Sequence, residues 1–173
     1  NTAATQLSVT FDSSAPTVAL ATTASTFSGP FTVTATFSEA VTGFVVADVT
    51  VSNGTASNFA ATSTSVYTFD VTPTADGTVT VDVAASVAID ASSNDNSAAA
   101  QLSVTYDATA PTVGLTGPSG TVTAAFSVTA TFSETVTGLL QSDIYVSASE
   151  GTVTGLSGSG AVYTITVDPI LGQ

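Results

Sequence analysis

Apolar and polar residues alternate at a period of two along most of this chain. The clearest stretches are FTVTATF (31–37), DVTVS (48–52), VYTFDVT (66–72), TVTVDVAA (78–85) and AQLSVTY (100–106), with a shorter one at PTVALA (16–21). This period predicts half-buried β-strands rich in β-branched residues. Turn signals separate them at FSGP (27–30), SNGT (52–55) and ADGT (75–78). About seven short strands in roughly 95 residues predict an all-β fold of tandem immunoglobulin-like β-sandwich domains.

The same alternation predicts which side chains form the core. One face of each strand carries the large apolar residues, whereas Asp70 and Asp82 fall on the opposite, solvent-facing side. The predicted core residues are Val18, Leu20, Phe31, Val33, Phe37, Val49, Val51, Tyr67, Phe69, Val79, Val81, Leu102 and Val104.

The chain also repeats itself. QLSVTFDSSAPTV (6–18) returns as QLSVTYDATAPTV (101–113), and FTVTATFSEAVTG (31–43) returns as FSVTATFSETVTG (126–138). VYTFDVTP (66–73) returns as VYTITVDP (162–169), one position later, which predicts a single inserted residue near SASEG (147–151). A repeat of domain size predicts a tandem array.

The repeat divides the chain into three parts. Residues 1–12 match the end of the repeat and are interpreted as the last strand of a preceding one, residues 13–107 form a complete repeat, and residues 108–173 form an incomplete second repeat. In the alternative interpretation, residues 1–12 are a donor strand that completes the second repeat of another molecule. Residues 78–95 would then still have no counterpart in the second repeat, so the first interpretation is favoured.

Composition excludes several functions. The chain has 13 acidic residues and no Lys, Arg or His, so its net charge is −13. Nucleic-acid binding needs cations for the phosphates, and an anionic membrane surface would repel this chain. We expect no direct membrane insertion, because no apolar run is long enough. Neither His nor Lys is present to activate a serine, and no Trp is present to stack on sugars, so we do not expect an enzyme.

The acidic residues are concentrated in connections that a sandwich brings to one end. These are the linker before the first strand, the connection 38–48 and the connection 88–96. Like charges there have no basic partner, so a hard cation that prefers oxygen ligands is predicted, Ca²⁺ before Mg²⁺. The other interpretation is that these are solvated loop acids. The candidate metal ligands are Asp12, Glu39, Asp48, Asp90, Asn94 and Asp95, with Asp107, Glu134 and Asp143 in the second repeat.

Longer stretches resemble a known family. DSSAPTV (12–18), FTVTATFSEAVTGFVVADVTVSNGTASNF (31–59) and YTFDVTPTADGTVTVDVAASVAIDASSNDN (67–96) are similar to the bacterial Ig-like repeats of large calcium-dependent surface adhesins and biofilm-associated proteins. The resemblance implies tandem β-sandwiches that bind calcium at domain junctions. By position, the junction role falls on Asp12, Glu39, Asp48, Asp90, Asp107, Glu134 and Asp143.

The resulting expectation is a structural extender at the cell surface or in an extracellular fibre. Its partners would be neighbouring repeats or subunits of the same protein, with any receptor or glycan bound at a distant tip. The alternative expectation is a filament subunit that polymerises by strand exchange through residues 1–12.

Overall fold

The computed structural model describes residues 3–170, which form two compact units divided after Thr109. The ends of the first and third predicted parts, residues 1–2 and 171–173, lie outside the described residues. All regular structure in the described range is strand, apart from two 3₁₀ turns at Val46–Asp48 and Gln141–Asp143. Within residues 3–170, no helix is both long and apolar enough to cross a membrane. The expected all-β fold is therefore confirmed.

The first unit is a sandwich of two four-stranded sheets. Its strands are β1 Val18–Ala21, β2 Thr26–Phe27, β3 Phe31–Phe37, β4 Val49–Ser52, β5 Gly54–Ala61, β6 Val66–Pro73, β7 Gly77–Val83 and β8 Leu102–Tyr106. One sheet has the order β1-β3-β6-β5 and the other has the order β2-β8-β7-β4. Neighbouring strands are antiparallel except β2 and β8, which are parallel.

The core lies between these two sheets, where the alternation predicted it. Val33, Phe69, Val79 and Val81 are fully buried on β3, β6 and β7. Tyr67 packs edge-on against Phe37, and its hydroxyl donates to the carbonyl of Val41 at 3.1 Å. The strand pattern missed Val41, Phe44 and Ala88, because these buried residues lie in the connections rather than on strands.

The predicted turn FSGP (27–30) begins one residue too early. Phe27 belongs to β2, a two-residue strand that is too short to show any alternation. Its backbone pairs with Tyr106 of β8, and its ring stacks on that of Phe31 with the ring centroids 4.4 Å apart. Phe27 is therefore packed against the core, although the sequence placed it in a turn.

The predicted strand at 48–52 and part of the predicted core also differ from the structure. The strand begins at Val49, because Asp48 ends a 3₁₀ turn. Four of the predicted core side chains are only partly buried and pack against the buried cluster. These are Leu20, Val49, Val51 and Leu102.

The second unit is a single three-stranded sheet with the order β11-β10-β9. Its strands are β9 Val113–Thr116, β10 Phe126–Val136 and β11 Gly151–Pro169, and its small core is Ala130, Tyr163, Ile165 and Val167. Its first strand is far more open than that of the first unit, since Leu115 is 67% exposed.

The insertion predicted near SASEG is more complex than a single residue. Gly54 pairs with Pro73 in the first unit, and Gly151 lies against Pro169 in the second. Two residues are therefore added in the turn before Gly151, and one is removed between Gly151 and Pro169. Sequence comparison found only the net change, because the two alterations partly cancel.

Candidate metal site

Three carboxylates from three separate segments converge at one end of the first unit. Asp12 precedes β1, Glu39 follows β3, and Asp90 lies in the connection between β7 and β8. One oxygen from each lies within 4.8 Å of the others.

The strand register explains why these segments meet. Val18 pairs with Phe37, so the start of β1 lies beside the end of β3. The pairing continues past the strands, because the backbone N–H of Thr17 donates to the Ser38 hydroxyl oxygen at 3.0 Å and the backbone N–H of Ser38 donates back to the Thr17 carbonyl at 2.9 Å. An isolated bridge between Thr42 and Ile89 joins the connection after β3 to the connection after β7.

Asp90 is the buried member of the group, with only 5% of its surface exposed. Its carboxylate accepts bonds from the Asn94 side-chain amide and from the backbone N–H groups of Ser92 and Asn94, each at 2.8 Å. The Asn94 side-chain amide is the largest cause that lowers the pKa of Asp90, and the backbone donors add to it, whereas desolvation opposes them. The site therefore keeps Asp90 charged, as a metal ligand must be.

Two asparagines in the same connection have structural roles. The Asn94 amide also reaches the backbone carbonyl of Asp12 at 3.3 Å, so it links Asp90 to the segment before β1. Asn96 is 2% exposed, and its oxygen accepts from the backbone of Val87 and Ala88 while its nitrogen donates to the carbonyls of Ala84 and Ser97. The sequence placed Asn96 at this end of the sandwich, but it did not show that the side chain is buried and holds the connection in place.

The structure does not bring every candidate of the first repeat into this group. The Asp48 carboxylate accepts the backbone N–H of Val45 at 2.8 Å and so closes the 3₁₀ turn. Asp95 is exposed, and its backbone forms a bridge with Ile89. Asn94 is at the site, but it donates hydrogen bonds there through its amide nitrogen.

Two of the three candidates of the second repeat, Asp107 and Asp143, match their counterparts in the first, whereas Glu134 lies within a strand and its counterpart Glu39 follows one. Asp107 accepts the backbone N–H of Thr109 at 3.1 Å, as Asp12 accepts that of Ser14 at 2.9 Å. Asp143 accepts the backbone N–H of Leu140 at 2.9 Å and closes the second 3₁₀ turn. Glu134 lies on β10.

The donor set fits a hard divalent cation. Calcium binds carboxylate oxygens at about 2.3–2.6 Å, so two ligands of one ion lie up to about 5 Å apart. The 4.8 Å limit on the oxygens of Asp12, Glu39 and Asp90 falls within this span. The chain has no Lys, Arg or His that could neutralise these carboxylates instead.

The repeat that carries these three carboxylates also matches a family model. Residues 12–106 match the model described as bacterial Ig-like domain, which is more than half of the chain. The chain belongs to this family. The match begins at Asp12 and ends at Tyr106, so it spans the sandwich together with the aspartate that precedes β1. The resemblance noted in the sequence is confirmed at the level of the bacterial Ig-like domain.

Two solved structures are similar to the chain. One is described as FdeC, a broadly conserved Escherichia coli adhesin, with 15% identity and a TM-score of 0.45, covering 91% of this chain and 56% of that one. The other is the Yersinia pseudotuberculosis adhesin InvE, with 14% identity and a TM-score of 0.34, covering 88% of this chain and 51% of that one. The chain thus spans about half the length of these proteins. No curated protein sequence matches it.

Proposed function

We propose that this chain is an extender module of a bacterial surface adhesin or extracellular fibre, stiffened by calcium where successive repeats join. The observation that carries the proposal is the convergence of Asp12, Glu39 and Asp90 at the end of the sandwich where the chain enters it. Membership of the bacterial Ig-like family and the repeat in the sequence support a structural, non-enzymatic role outside the cell.

The position of Asp12 links metal binding to stiffness. Asp12 belongs to the segment before β1, whereas Glu39 and Asp90 belong to the sandwich itself. An ion held by all three would tie the incoming segment to two connections of the domain. Without the ion, three carboxylates with no basic partner repel one another, and the incoming segment is less restrained.

The experiment compares thermal unfolding in calcium with unfolding in chelator. A ligand that binds only the folded state stabilises it, by about 2.7 kcal/mol at a concentration 100 times its dissociation constant. We expect calcium to raise the melting temperature of the chain and Glu39→Gln to reduce that rise. Glu150→Gln is the matched control, because it removes the same charge from an exposed glutamate outside the group.

A melting temperature that is the same in calcium and in chelator would contradict the metal site. An equal response in Glu39→Gln and Glu150→Gln would contradict the assignment of Glu39. Stiffening is tested separately, by small-angle scattering on a tandem array of residues 13–107. We expect the maximum dimension of the array to shrink when calcium is removed. An unchanged dimension would show that calcium does not stiffen the array.

A second candidate function is polymerisation by strand exchange. Leu7, Val9 and Phe11 are 85%, 82% and 90% exposed, and they have the same spacing as Leu102, Val104 and Tyr106 of β8. The exposed row therefore has the pattern of a β8-like strand. Mass spectrometry of the native polypeptide distinguishes the candidates, because a chain much longer than 173 residues would place this row in a preceding repeat and refute strand exchange.

A further inference from the structure

Asp76, far from the metal site, holds the segment that leaves the first unit. Asp76 lies in the turn between β6 and β7, and its two oxygens have different partners. Oδ1 accepts the backbone N–H of Ala108 at 2.8 Å, and Oδ2 accepts the hydroxyl of Thr109. Both partners follow β8, at the start of the linker between repeats.

The neighbouring bonds hold the same segment. The backbone of Asp107 donates to the Phe27 carbonyl at 2.9 Å, and the backbone of Thr109 donates to the Asp107 carboxylate at 3.1 Å. Each of the three consecutive backbone N–H groups of 107–109 therefore has an acceptor. Of these bonds, only those to Asp76 join the linker to the turn between β6 and β7.

We propose that Asp76 is a clamp that fixes the start of the inter-repeat linker to the repeat before it, without any metal. The strand β7 separates Asp76 from the connection that carries Asp90, and its 7 residues span about 23 Å. The clamp and the metal site thus lie at opposite ends of the sandwich. The clamp acts within the first unit. Only its biological purpose therefore rests on the proposed extender function.

The sequence supplies the same hydroxyl at the preceding linker. Ser14 occupies the position of Thr109, and the two residues follow Asp12 and Asp107 with the same spacing. Their backbone N–H groups also make the same bond, to Asp12 and Asp107 respectively. In a tandem array, each linker therefore offers a hydroxyl to the aspartate of the repeat before it.

Amide hydrogen exchange of the full chain in chelator tests the clamp. Asp76→Ala removes both bonds, and we expect the Ala108 amide to exchange about tenfold faster, as for loss of a hydrogen bond to a charged acceptor. Thr109→Val removes only the hydroxyl bond and should give a smaller increase. Asp82→Ala is the matched control, because its carboxylate lies on β7 and accepts hydrogen bonds from the Gln101 side chain rather than from the linker.

Two outcomes would overturn the proposal. One is an Ala108 exchange rate in Asp76→Ala that equals the rate in Asp82→Ala. The other has two parts: Asp76→Ala speeds amide exchange generally, including at Val79 and Val81 of β7, and Thr109→Val leaves the Ala108 exchange rate unchanged. Asp76 would then support the fold rather than the linker. Since calcium is absent throughout, failure here leaves the calcium-dependent test of the extender function untouched.

Discussion

The structure predicts how much stability the Asn96 side chain contributes. Its side chain is almost fully buried and makes four hydrogen bonds of 2.8–2.9 Å to the backbone of residues 84, 87, 88 and 97. Asn96→Ala deletes all four and leaves their backbone partners without the amide. At about 1 kcal/mol net for each bond, the free energy of unfolding should fall by about 4 kcal/mol.

Such a loss is large for a domain of this size, whose total stability is of order 5–15 kcal/mol. At about 4–8 °C for each kcal/mol, the melting temperature should fall by roughly 15–30 °C. Thermal and urea unfolding, followed by circular dichroism, measure the change. Gln101→Ala is the control, because it removes the same amide from an exposed site, where we expect an effect within about 0.5 kcal/mol.

The same variant should also weaken the response to calcium. Asn96 supports the connection that carries Asp90, so its loss should loosen the candidate metal site as well as the fold. Equal unfolding midpoints for Asn96→Ala and Gln101→Ala would show that the four bonds do not stabilise the connection.

Two further predictions concern backbone packing and pH. A Cβ on Gly54 would lie 2.9 Å from the Thr72 carbonyl oxygen, so Gly54→Ala should destabilise the first unit by about 1–3 kcal/mol. Gly29→Ala is the control, because a Cβ there would meet open space. Equal urea midpoints for the two variants would contradict the prediction. The Asn58 amide, followed by the Thr32 hydroxyl, lowers the pKa of Asp70 below its ordinary value of 3.8. The ionised Asp70 carboxylate therefore contributes its full stability above pH 3.8. This contribution is lost as the pH falls through the lower pKa of the folded state. The stability difference between the wild type and Asp70→Asn, measured by urea unfolding, should thus shrink below pH 3.8, and a constant difference would refute it.

The sequence by itself determined the repeat, the strands and most of the core. Alternation at a period of two is a local property, and it identified β3 with its bounds as well as the buried Val33, Phe69 and Val81. It could not find β2, because two residues carry no period, nor Val41 and Phe44, which are buried by the packing of a connection.

Only the tertiary structure decided which acidic residues meet. Glu39 and Asp48 lie in the same connection and looked equivalent in the sequence, yet Glu39 joins Asp12 and Asp90 while Asp48 closes a 3₁₀ turn. The difference depends on where each side chain points after the backbone has turned, and on the bridge between Thr42 and Ile89. The sequence supplies the charges, but distances between side chains from separate connections arise only when the two sheets pack.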